Sequence, residues 1–326
     1  MSLRAHVAGL RRAGRAGMRL GTAASLALAV VSGCAADSGA PVLDTTYEVP
    51  PKLDEVTVQR FDYSTPDGGD PGQNWADLYL PPGEQHVDSI PLAVLIHGGA
   101  WQSNLGADAL DPLARDLASR GMAVYNIEYR RLGSGGGWPT TFRDVADALD
   151  HVVEVDKRFP QITTDDELVV GHSSGAQLAA WAGVRHTLDD DEVGASPRFR
   201  PTRVVTIAGT LDMTYAAGQG DDHVVEVMGG TPESVAGRYS SVDPIQNVAT
   251  DTPVVAIHGA LDETVAPENS QRYVNAVNRA GGKAKMVLLE GEDHASVVSS
   301  RSRTYSRVLE IIRHVGTADL SETTAG

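Results

Sequence analysis

The stretch Leu168-Val-Val-Gly171-His172-Ser173-Ser174-Gly175-Ala176-Gln-Leu-Ala-Ala-Trp181 decides the fold. A short apolar run of strand type enters the pentapeptide Gly171–Gly175 and an Ala-rich run of strong helix formers leaves it, so Ser173 stands on a strand-to-helix corner. Gly171 and Gly175 lack the Cβ atoms that would crowd so sharp a turn. The corner thrusts the Ser173 hydroxyl out above the sheet edge. It also leaves the amide N–H of Ser174 at a helix start, where the first N–H groups have no partner within the helix and favour negative charge.

Outward from the corner the chain alternates extended and helical runs, the pattern of a mostly parallel sheet covered on both faces by helices. Strands are predicted over 56–61, 75–80, 92–96, 122–130, 204–207, 254–258 and 284–289. Helices are predicted over 108–120, 140–159 and 268–280, with a further one at the C-terminus. The segment 209–247 carries no strand pattern and is broken by Gly229-Gly230, Pro232 and Pro244. Two short helices, near 221–228 and 232–239, are expected there as a small cap over the sheet edge. No stretch repeats at a solenoid period.

Upstream, the strand at 92–96 runs into His97-Gly98-Gly99-Ala100-Trp101. A glycine pair after a buried strand lets the backbone fold back with its N–H groups exposed and lets an oxygen approach closely, so Gly98, Gly99 and Ser174 are candidate donors to a developing oxyanion. Glu128 and Arg130, at the end of the next strand, read as a structural brace, with Asp144 a partner for the guanidinium.

A serine hydroxyl needs an imidazole to take its proton, and the imidazole needs a carboxylate to hold its tautomer. On folds with such a corner, the acid and then the base follow the serine along the chain. Of the ten histidines, His294 follows the corner and an acid and lies on a loop after a strand, in Glu290-Gly-Glu-Asp-His294-Ala. His258 lies at a strand end and His314 in the last helix, while His97 and His172 belong to the two Gly motifs and are expected to pack or shape loops. The acid is Asp262, at the end of the turn Gly259-Ala-Leu after a core strand; Glu263 beside it and Asp293 beside the histidine are the alternatives. Asp293 is too close along the chain to reach the far imidazole nitrogen easily.

Length and charge bound the rest. The 326 residues suit one large α/β domain behind a leader, and 41% hydrophobic residues are enough for a sizeable core. The net charge is -16, and the first 33 residues hold five Arg and no acid, so the remainder is more acidic still. Nucleic acid is therefore an improbable partner. Those five Arg precede the apolar run 20–31, too short for a comfortable membrane span and of the length of a signal peptide's apolar region. It ends in Val31-Ser-Gly-Cys34, which resembles the bacterial lipobox, and Cys34 is the only cysteine. The expectation is a lipoprotein signal over 1–33, a lipidated Cys34, a flexible tether over 34–54, a catalytic domain over 55–316 and a disordered tail over 317–326. The protein would be exported and anchored to the cell membrane. Arg11-Arg12 hints at twin-arginine export but lacks the flanking residues.

With these pieces in order, residues 56–315 resemble an α/β-hydrolase of the serine esterase class. The likeness is greatest to the group that includes kynurenine formamidase-like enzymes, small feruloyl-esterase-like domains and HGG-bearing esterases and lipases. It rests on His97-Gly98-Gly99-Ala100-Trp101, Glu128-Tyr129-Arg130, Gly171-His172-Ser173-Ser174-Gly175, Gly229-Gly230-Thr231-Pro232, Gly259-Ala-Leu-Asp262 and Asp293-His294. The resemblance implies Ser173 as nucleophile, His294 as base, Asp262 as its orienter, and amides of Gly98 or Gly99 with Ser174 as oxyanion hole. Many relatives carry Ala where this chain has Ser174.

The implied reaction is hydrolysis of esters with small or medium acyl groups, without metal or organic cofactor; aromatic residues make up 5%, few for a lipid-gripping surface. Amide, formamide or peptide hydrolysis by the same residues is the alternative within the enzyme class. An envelope-anchored binding protein that uses the same pocket without turnover is the alternative outside it.

Overall fold

The computed structural model describes residues 55–102 and 104–324. The predicted signal, Cys34 and the tether lie outside the described residues.

Eight strands form one sheet in the order β1-β2-β4-β3-β5-β6-β7-β8. They are β1 Thr57–Asp62, β2 Trp75–Leu80, β3 Ile90–Ile96, β4 Ala123–Ile127, β5 Ile162–His172, β6 Arg203–Ile207, β7 Val254–Gly259 and β8 Ala284–Leu289. β2 pairs antiparallel with β1 and with β4, and every other pairing is parallel. Interior strands read as continuous Val/Ile/Leu runs because both faces are covered. Along β3, Leu92, Val94 and Ile96 enter one core while Ala93 and Leu95 enter the other.

The first core is packed by α2 (Thr140–Asp150), α3 (Val152–Arg158), α4 (Ser174–Ala182) and α8 (Glu268–Arg279), through Phe142, Leu149, Val152, Leu178, Trp181 and Tyr273. The second is packed by α1 (Asp111–Ala118) and α9 (Tyr305–Thr317), through Leu113, Leu117, Val308 and Ile312. This is the α/β architecture expected, a mostly parallel sheet with helices on both faces.

Three expectations need correction. The helix predicted over 140–159 is two helices: at His151 the turn tightens, with Glu154 N–H bonding back three residues to the His151 carbonyl, and the His151 ring meets the Tyr125 hydroxyl at 2.8 Å. The cap holds three helices rather than two, α5 (Met213–Gly218), α6 (Asp222–Met228) and α7 (Ala236–Val242). α5 is only six residues long and shows no apolar periodicity; its start is fixed by the Asp212 side chain, which accepts from Tyr215 N–H at 2.8 Å. The tail is ordered to residue 324: α9 ends at Thr317, Arg203 donates to the Val315 and Ala318 carbonyls, and Thr323 is buried.

Candidate active site

β3, β5, β6, β7 and β8 run parallel, so their carboxyl ends open onto one edge, the place where open α/β sheets collect ligands. β5, between β3 and β6, ends in the elbow. Ser173 has φ 57° and ψ -122°, left-handed for a residue with a side chain, and it caps α4. The flanking glycines are obligatory: a Cβ on Gly171 would lie 2.0 Å from the Gly175 carbonyl oxygen, and one on Gly175 would lie 2.1 Å from that of Ile96.

The loop after β7 supplies Asp262 and the loop after β8 supplies His294. His294 Nε2 lies 2.9 Å from Ser173 Oγ and its Nδ1 lies 2.8 Å from Asp262 Oδ2. Three side chains separated by up to 121 positions thus form one hydrogen-bonded series. Asp262 is 5% exposed, and its Oδ1 accepts the amides of Thr264 and Val265, each at 2.9 Å. Burial pushes its carboxyl up, but hydrogen bonds from His258, His294 and Val265 outweigh burial and hold it well below the usual carboxylate range. It therefore stays ionised facing the imidazole.

The alternative acids do other things. Asp293 turns onto its own loop, accepting from the Ala295 and Ser296 amides, and Glu263 is exposed at the rim.

The His97-Gly98-Gly99-Ala100-Trp101 loop meets the elbow directly. A Cβ on Gly98 would lie 2.8 Å from Ser173 Cβ and 2.7 Å from the His172 carbonyl oxygen. Gly99, Ala100 and Trp101 have φ of 114°, 55° and 55° in succession, a strained fold-back. Of this loop, it is Ala100 and Trp101 that join Ser173 and Ser174 in the wall of a cavity of about 760 Å³, one and two positions beyond the glycine pair predicted. Trp101 N–H donates to Ser174 Oγ at 3.3 Å, so the Ser174 side chain ties the loop to the elbow.

Beneath the loop, His97 Nε2 faces Glu128 at 3.1 Å and its Nδ1 faces the Gly98 carbonyl at 2.8 Å. Glu128 also holds Arg131 and the Ala107 amide. Arg130 pairs instead with Asp144 at 2.7 Å and with Asp67 at 3.0 Å. Glu128 and Arg130 are thus two braces rather than one, and Asp144 is the guanidinium's partner.

Two histidines not expected to be catalytic, His258 at a strand end and His172 as a packing or loop-shaping residue, touch the series. His258, fully buried, has Nε2 2.8 Å from the Val265 carbonyl and 3.2 Å from Asp262 Oδ2, with Nδ1 2.7 Å from Ser270 Oγ. Its place four residues before the acid, at a strand end, is the available signal. His172 donates through Nε2 to the His294 carbonyl at 2.9 Å, and nothing in the local sequence points to that contact across 122 positions.

The cap closes the cavity from above with Tyr215, Gln219, Asp221, Asp222, His223 and Glu226, while Thr210, Val265 and Asn269 complete its wall. Four carboxylates, those of Asp221, Asp222, Glu226 and Glu263, line it, and no Lys or Arg among the described residues does. Gln102 reaches from the loop to Glu226 at 2.9 Å and so joins loop to cap.

Residues 76–277 match the family model described as BD-FAE. A probable isoprenylcysteine alpha-carbonyl methylesterase ICME of Oryza sativa subsp. japonica is 27% identical over 280 residues, which cover 78% of this chain and 64% of that protein. Against other plant relatives of that name the chain spans about half of their length. Kynurenine formamidase of Drosophila melanogaster is 22% identical, with 80% of this chain and 82% of the other covered. Among solved structures, inhibited esterase B from Lactobacillus rhamnosis superimposes with a TM-score of 0.67 at 19% identity over 81% of this chain and 88% of the other, a likeness of fold.

Proposed function

Because the chain belongs to the BD-FAE family, we propose that it is a serine hydrolase that cleaves carboxylic esters of small to medium acyl groups through an acyl-enzyme. The observation that carries this reading is the series Ser173 Oγ, His294 Nε2 and Nδ1, Asp262 Oδ2, with spacings of 2.9 and 2.8 Å, opening on a cavity. The esterase names of several relatives support it.

In the proposed reaction Ser173 Oγ attacks the ester carbonyl carbon while His294 Nε2 takes the hydroxyl proton. The ionised Asp262 holds the Nδ1 proton and stabilises the imidazolium. The carbonyl oxygen becomes an oxyanion facing the first amide of α4, that of Ser174, and the amides of the loop around Gly98 and Gly99. Collapse breaks the bond to the alcohol, which leaves with the proton from His294. Water then attacks the acyl-enzyme with His294 as base, and the acid is released from a regenerated Ser173.

Formamide hydrolysis is the second reading, favoured by the likeness to a kynurenine formamidase over four fifths of both chains. Replacing Ser173 by Ala decides for or against both. Turnover of p-nitrophenyl acetate and butyrate, and labelling by a fluorophosphonate, are expected to fall to background with the melting temperature nearly unchanged. Undiminished turnover in the variant ends the proposal, and a wild-type protein that folds yet neither turns over ester nor labels points to the binding-protein alternative.

We further propose that the enzyme is exported and anchored through a lipid on Cys34, from the Arg-rich, apolar and small-residue order of residues 1–34. Cys34→Ser is expected to move the protein from the membrane fraction to the soluble one. Unaltered partitioning removes the anchor.

A further inference from the structure

His172 is the residue of the elbow for which the proposed reaction has no use. Its backbone ends β5 and pairs in register with Ile207, and its side chain lies between Gly98 and the loop after β8. Nε2 lies 2.9 Å from the carbonyl oxygen of His294, and the two imidazole centroids are 5.0 Å apart at 40°. The contact is not to the ring of the proposed base but to its main chain.

The loop after β8 is secured up to that point by the turn that follows β7. Ala260 N–H donates to the Leu289 carbonyl and Leu261 N–H to that of Glu292, both at 2.9 Å. Asp293 N–H then reaches Ser296 Oγ at 2.8 Å. Residue 294 lies beyond the strand pairing, where its side chain must meet two partners at once, Ser173 on one nitrogen and Asp262 on the other.

We propose that His172 is a positioning residue for the base: its Nε2–H, fastened to the His294 carbonyl, fixes the loop against the nucleophile's own elbow. Ser173 and the main chain of residue 294 are thereby referenced to one point, the end of β5, and not to two separate strands. A displacement of about 1 Å at a reacting group can cost on the order of a hundredfold in rate.

The contact needs its proton on Nε2, which leaves Nδ1 without one in the neutral ring. Burial, and next the charge that His294 acquires when protonated, push the His172 imidazole down to about 4. Asp262 opposes that shift and His258 adds to it, and the balance keeps the ring neutral at working pH. A neutral neighbour at 5.0 Å does not oppose the imidazolium that His294 becomes during the reaction.

The inference rests on the serine hydrolase reading, and its test separates the two. In the full chain, His172→Leu removes the donor at similar volume, while His172→Gln returns an amide N–H near the Nε2 position. The Leu variant is expected to lose kcat by about 10- to 100-fold with KM within about twofold. Fluorophosphonate labelling of Ser173 should slow in parallel, with the melting temperature within a few degrees of wild type. The downfield proton resonance of the His294 Nδ1–H bond to Asp262 should weaken in the Leu variant. The Gln variant is expected to restore rate and resonance.

Should the Leu variant fail to fold, His172→Asn, whose amide is too short to reach, takes its place. A donor-free variant with wild-type kcat and an undisturbed resonance overturns the proposal; so does a Gln variant as impaired as Leu. Absence of turnover and labelling in the wild type instead sinks the hydrolase reading, and the resonance still reports on His172.

Discussion

At the scale of single residues, two carboxylates withdrawn from water, Asp262 in the site and Asp147 outside it, are treated in opposite ways. Asp262 is surrounded by four donors and held ionised, whereas Asp147 on α2 has a buried Oδ2 without a hydrogen-bond partner. Burial and then the neighbouring Asp144 and Asp150 raise the Asp147 carboxyl to about 6. An acid whose folded value is raised destabilises the fold wherever it is charged, and the penalty disappears as pH falls from about 6 towards 4. Asp147→Asn is therefore expected to stabilise by about 1 kcal/mol at pH 7.5, the figure reduced for a half-buried, solvent-screened group. Thermal melts of the two proteins should differ by a few degrees there and coincide at pH 4. The series Ser173, Asp262 and His294 was legible in the sequence because elbow chemistry dictates residue types and their order. His172 and Ser174 Oγ were not, because their partners, the His294 carbonyl and the Trp101 amide, are main-chain groups that no residue type betrays.

Among the elements, the elbow and the loop after β3 act as one piece. Glycine at 98 is required by the Ser173 Cβ and His172 carbonyl that a side chain there would strike. Gly98→Ala is expected to leave a folded protein, judged by circular dichroism, that is less stable by about 1–3 kcal/mol, the usual cost of overpacking. Its fluorophosphonate labelling should fall by at least about a hundredfold, since the added methyl displaces Ser173 itself; labelling within threefold of wild type would disconnect the loop from the elbow. Strands were read closely from the sequence, β2 and β8 to the residue, because turn residues bound those extended runs, Gly72 and Pro81-Pro82-Gly83 about β2 and Gly281-Gly282 and Gly291 about β8. The cap was read least well. Its helices are six or seven residues long, too short for periodicity to emerge, and are fixed by long-range contacts: buried Asp243 accepts from the Met213 and Thr214 amides about 30 positions away.

For the molecule as a whole, the parallel sheet explains why residues so distant in sequence meet, and the cap decides what may stay. The proposed hydrolysis of an ester would leave behind an anion, and the cavity at Ser173 is lined by Asp221, Asp222, Glu226 and Glu263. Like charges repel most strongly at low ionic strength, so the freshly made acid is driven outward while an uncharged ester enters unopposed. Acetate and butyrate should accordingly be feeble inhibitors in 20 mM buffer and stronger ones in 0.5 M salt; initial-rate assays that find inhibition independent of salt would show that these carboxylates play no part. For the proposed reaction the acidic mouth is then a one-way valve, which admits a neutral ester and turns its charged product out.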